Sequence, residues 1–136
     1  MSQTSAALGR IQPSATLAMS ARVNALKAEG VDVIGLSAGE PDFDTPDFVK
    51  DAGITAIRNN QTRYTDVDGT VDVKEAVEFK FKRDNGLVYK RSQISVNSDG
   101  KHTLFNALIA TVDAGDEVII TAPYWVSYPD IVNFAG

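Results

Sequence analysis

The chain has 136 residues, 43% of them apolar, a formal net charge of −5 and no cysteine. That length predicts one domain with apolar content enough for a globular core. The missing cysteines exclude disulfides, zinc knuckles and thiol chemistry, and fit a reducing cytoplasm. The acidic balance, without a Lys/Arg-rich window among aromatics, argues against nucleic acid as a partner.

The first ten residues lack the basic and apolar regions of a signal peptide, and no apolar run is long enough to span a membrane. The expectation is a soluble, cytoplasmic protein with no membrane partner. Pro13-Ser14 caps a first helix, in which Leu17, Ala18, Ala21, Ala25 and Leu26 share a face and which Gly30 ends. Val31, Val33 and Leu36 then alternate as a short strand, before Gly39, Pro41, Asp42 and Pro46 impose a long turn.

Thr45-Pro46 opens a second helix with Val49, Ala52, Ala56 and Ile57 on its inner face, stopping near Asn59-Asn60. A loop, "QTRYTDVDG", leads to a third helix over Val71 to Arg83, ended by Asn85-Gly86. The last third reads as a βαβ unit. Ile94 and Val96 form a strand, Leu104, Leu108 and Val112 mark a helix, and Val118-Ile119-Ile120 is a strand buried on both faces, as in a parallel sheet. Two of these strands look like members of a larger sheet, so the chain reads as unfinished.

Between strand and helix lies "NSDGKHTLFNAL", residues 97 to 108. Free backbone N–H groups and the positive end of a helix dipole converge at such a turn, Gly100 permits close approach and Lys101 adds charge. Two readings stand open: an ordinary helix start capped by Ser98 or Asp99, or an anion site. A Walker A loop, a G-x-G-x-x-G fingerprint and a G-x-S-x-G elbow are all absent from the chain. His102 is the only histidine, and no carboxylate stands at a helpful spacing on its helix, so no metal site is expected.

"LSAGEPDFDTP" at 36 to 46, "TRYTDVDG" at 62 to 69, "KFKRDNGLVY" at 80 to 89, "GKHTLFNAL" at 100 to 108 and "DAGDEVIITAPYWVSYPDIV" at 113 to 132 together resemble the N-terminal part of bacterial aspartate aminotransferases. These are class-I, fold type I pyridoxal-phosphate enzymes. The likeness runs from about Arg10 to Gly136. It implies an α/β fold: residues 1–12 an N-terminal arm, 13–43 the N-terminal part of the small domain, and 44–136 the start of the large cofactor domain, a mostly parallel sheet with flanking helices that is incomplete in this chain.

The resemblance also assigns roles. Asp99, Gly100 and Lys101 match the turn that holds the phosphate of pyridoxal 5′-phosphate. Trp125 matches the aromatic stacked on the pyridine ring, and Gly39 the position whose backbone meets the substrate carboxylate. Tyr64 matches a tyrosine reaching the phosphate of the neighbouring subunit, which implies a homodimer acting on amino acids and 2-oxo acids.

The reaction implied is transamination of aspartate with 2-oxoglutarate. The Schiff-base lysine, the aspartate under the pyridine nitrogen and the arginine for the α-carboxylate lie beyond the matched region in that family. No catalytic residue is therefore expected here, and the isolated chain is expected to be an inactive N-terminal piece. A second reading is a non-catalytic assembly or regulatory module, or half of a split enzyme. The chain departs from the family pattern at Asp99, usually small, at His102, commonly Gln, and at Val71, commonly Pro. Two like charges 4 Å apart repel by ~1 kcal/mol in water and ~4 kcal/mol at an effective dielectric of 20, so Asp99 must face away from a phosphate or weaken its binding.

Overall fold

A computed structural model describes residues 4–136; the first three residues of the expected arm lie outside the described part. Five α-helices form among the described residues: α1 (Ala15–Ala28), α2 (Asp47–Arg58), α3 (Val71–Lys80), α4 (Gly100–Thr111) and α5 (Ser127–Ala135). Short 3₁₀ turns lie at Leu8–Arg10 and Arg91–Gln93.

The helix starts follow local chemistry. The Ser14 hydroxyl accepts from the Leu17 N–H at 3.3 Å at the head of α1, and the Thr70 hydroxyl accepts from the Val73 N–H at 3.4 Å at the head of α3. Val71 is thus the first helical residue after a cap, a position where proline is also at home. After Lys80 the helix widens into a π turn, Phe81–Asn85, and Gly86 at φ 67° stops it.

By contacts the chain forms two units. One contains the chain up to Glu40 together with Gly100–Gly136, and the other is Pro41–Asp99. In the first, α4 packs on α5: the Phe105 and Phe134 rings stand 5.5 Å apart, and Ile131 is buried. Arg10 closes the far end of α5, its Nε donating to the Asn133 carbonyl at 2.6 Å and its Nη2 to the Phe134 carbonyl at 2.8 Å. These are charge-assisted bonds to orphan carbonyls at the negative end of the helix dipole. Arg10→Ala is expected to lower stability by about 1–2 kcal/mol, with Arg10→Lys recovering only part of it, as urea melts followed by helical circular dichroism will read.

In the second unit Ile94 is buried and Phe81 meets Tyr89 edge-on at 5.9 Å. The buried ammonium of Lys74 donates to Asp68 Oδ1 at 2.8 Å. That hydrogen bond, foremost, holds the Asp68 carboxyl below the usual aspartate range. A depressed carboxyl pKa contributes stability above the unfolded value of about 4 and loses it as pH falls through the folded one. Thermal melts of the wild-type chain should therefore decline below about pH 4 more steeply than those of Asp68→Asn.

Two features differ from the reading of the sequence. No β-ladder forms among the described residues, so the expected sheet is not seen there. A strand is defined by pairing, and the expected strands at Val31–Leu36, Ile94–Val96 and Val118–Ile120 find no strand to pair with; the Val96 N–H donates instead to the loop carbonyl of Asp68 at 3.0 Å. Ile119, expected to be covered on both faces, is 93% exposed. Lastly, α5 was not anticipated, although Tyr128, Ile131, Val132 and Ala135 recur at helical spacing. Its Pro129 is compatible with it, because a proline in the first turn removes only an N–H that has no intrahelical acceptor.

Candidate functional site

Helix α4 begins at Gly100, so the turn before it delivers Asp99 directly ahead of the helix and Lys101 into its first turn. The first N–H groups of an α-helix have no acceptor within it and carry the positive end of its dipole. The Lys101 ammonium lies 4.6 Å from the centroid of the Trp125 ring, within cation–π range. Two expected residues 24 positions apart are thus brought together.

Trp125 sits in the loop just ahead of α5. The Tyr128 N–H donates to the Trp125 carbonyl at 3.0 Å, and the Tyr128 ring meets the indole edge-on at 5.6 Å and 86°. The indole remains 42% exposed. A flat aromatic surface and a cation from the first turn of a helix therefore stand side by side, chemistry that suits a planar ring carrying an anionic group.

Gly39 belongs to the same unit as α4 and α5. A Cβ added at Gly39 or at Gly100 would meet no atom within 4 Å, and neither residue has a positive φ. Neither packing nor backbone conformation within this chain calls for glycine at these places.

Tyr64 lies in the Pro41–Asp99 unit, in the loop between α2 and α3, and is fully exposed. Asp99 closes that unit. No cluster of three or more His, Asp, Glu or Cys that could hold a metal ion occurs among the described residues. No helix among them is long and apolar enough to cross a membrane. Tyr128 was missed by sequence reasoning, and its signal was the i, i+3 spacing to Trp125 on the way into an unrecognised helix.

An open apolar groove of about 320 Å³ runs between α4, α5 and the segment around Ile119, lined by Leu104, Leu108, Ile120, Tyr128 and Val132. It carries no charged side chain and so offers no chemistry of its own.

Residues 31–136 match the family model for class I and II aminotransferases. The chain is 60% identical over 125 residues to the aspartate/prephenate aminotransferase of Nitrosomonas europaea, covering 92% of this chain and 32% of that protein. It is 55% identical over 130 residues to a probable aspartate/prephenate aminotransferase of Rhizobium leguminosarum, covering 96% and 32%. Among solved structures, an aspartate aminotransferase from Thermus thermophilus with maleate superposes at a TM-score of 0.94 with 45% identity, over 100% of this chain and 36% of that one. One from Rhizobium meliloti gives 0.92 with 48% identity, over 99% and 34%. The chain spans about a third of the length of the curated relatives it matches.

Proposed function

Because the chain belongs to the class I and II aminotransferase family, we propose that it supplies the phosphate and ring cradle of a pyridoxal 5′-phosphate-dependent aspartate aminotransferase. The observation that carries this reading is the meeting of Lys101 with Trp125 at the start of α4. The N–H groups of Gly100 and Lys101 and the Lys101 charge bind the phosphate, while Asp99 faces away from it. Trp125 covers one face of the ring and keeps water from it. Gly39 leaves its backbone open to the substrate carboxylate.

When bound, the cofactor supplies an electron sink for the charge left on the substrate α-carbon. This chain's residues bind, orient and exclude water; none of them moves the proton. Tyr64, fully exposed, reaches the phosphate site of a second subunit, so the working enzyme is a homodimer. Residues 1–12 form an arm, 13–43 part of the small domain and 44–136 part of the large one, whose parallel sheet forms on pairing with further strands. We place the enzyme in the cytoplasm, in keeping with a chain free of cysteine.

The reaction is transfer of the amino group of aspartate to 2-oxoglutarate, giving oxaloacetate and glutamate. The relatives' names add prephenate as a second amino-group acceptor. Protein captured from the source with an antibody against "APYWVSYP" should form glutamate from aspartate and 2-oxoglutarate, and should aminate prephenate. The isolated 136-residue chain should do neither. Captured protein that is inactive with added cofactor would overturn the assignment, and turnover by the isolated chain would overturn the absence of a catalytic lysine from it.

A further inference from the structure

We infer that Lys101 and Tyr128 are positioning residues that lock the Trp125 indole in its stacking orientation before any ligand arrives. The inference deepens the proposed function and depends on it only for what the indole receives. Trp125 lies on a loop, 42% exposed, where an indole left to itself samples several rotamers. Two contacts of different kind restrict it. The Lys101 ammonium stands at 4.6 Å from the ring centroid, and the Tyr128 ring meets it at 5.6 Å and 86°.

Both contacts draw on the charge distribution of an aromatic ring. The indole face is electron-rich and attracts a cation, whereas perpendicular aromatic pairs bring an electron-poor edge to an electron-rich face. Held in both ways, the ring resists swinging about its side-chain torsions more than either contact alone would ensure.

The placement of Lys101 asks for such an account. A cation in the first turn of a helix opposes the helix dipole. The ion pairs Lys50–Asp47, Lys74–Asp68, Arg83–Asp84 and Arg91–Glu75 do not use Lys101. Its side chain lines an apolar cleft with Ile11, Phe105, Ile131 and Phe134, so the stem is supported and the ammonium is carried to the indole. Asp130, in the same cleft, accepts from the Gln12 N–H at 3.5 Å. An indole oriented in advance spares the ligand the cost of ordering it, which is preorganisation.

The test needs no ligand, because Trp125 is the only tryptophan and reports on itself. Near-ultraviolet circular dichroism and acrylamide quenching are compared in the 136-residue chain, with far-ultraviolet helix content as the folding control. Lys101→Met keeps the stem and removes the charge. It should cut the indole band and increase quenching, reflecting loss of a roughly two- to fivefold bias towards one orientation. Lys101→Arg should restore both signals. Tyr128→Phe should behave as wild type and Tyr128→Leu should not, so this second pair decides the matter if Lys101→Met loses helix. Unchanged signals in Lys101→Met with intact helix, or Lys101→Arg as perturbed as Lys101→Met, would overturn the clamp. Failure of the wild-type chain to bind pyridoxine 5′-phosphate would strike the functional reading alone.

Discussion

Replacing Trp125 by alanine is expected to weaken binding of pyridoxine 5′-phosphate by about 5- to 150-fold, the equivalent of the ~1–3 kcal/mol that stacking a flat heterocycle on an aromatic side chain contributes. This ligand carries the ring and the phosphate without an aldehyde, so it cannot react with the chain's lysines. Equilibrium dialysis measures it without relying on tryptophan fluorescence. Trp125→Phe should fall between the two, since it keeps a smaller face. The substitution should cost little stability, because the indole is 42% exposed and its loop carries no ladder. A large loss of affinity with an unchanged melting curve is the signature of a residue that serves the ligand rather than the fold.

Gly69→Ala is expected to have the reverse signature. Gly69 has φ +107°, outside the range that L residues adopt readily. An added Cβ would lie 3.1 Å from Val96 Cβ and 3.3 Å from Val96 Cγ2. Val96 cannot withdraw freely, since its N–H is bonded to the Asp68 carbonyl one residue away from Gly69. Backbone strain and crowding together should destabilise the Pro41–Asp99 unit by roughly 2–4 kcal/mol, to be read as a lowered urea midpoint. Gly39→Ala is the control, as its Cβ meets nothing within 4 Å and its φ is not positive.

The contrast between these glycines shows what the amino-acid sequence makes legible. Helices α1 to α4 could be read from apolar periodicity and flanking signals because those signals are local: Ser14 caps α1 as expected, and Gly30 and Gly86 take the positive φ expected of stop signals. The sheet could not be obtained in the same way. Val118-Ile119-Ile120 has strand composition, but pairing is a property of a neighbour, and no neighbouring strand stands beside it among the described residues.

Helix α5 carries Pro129 in its first turn, a residue whose meaning depends on its place in the helix. The site was legible only in part. Local physics allowed an anion at Gly100 and Lys101 without choosing it, and the phosphate is implied by the five motifs of the resemblance alone. The meeting of Lys101 with Trp125 depends on how α4 and α5 pack, and neither spacing nor composition encodes that contact. Arg10 at the end of α5, over 120 residues away in the chain, is invisible to any local pattern for the same reason.

The most direct measurement of the central claim is a titration of the 136-residue chain with pyridoxine 5′-phosphate, followed through the fluorescence of Trp125. A cradle formed by the start of α4 and the Trp125 ring predicts saturable quenching that inorganic phosphate competes away and that pyridoxine, lacking the phosphate, reproduces only weakly. Absence of saturable quenching, or equal quenching by pyridoxine with and without its phosphate, would contradict it.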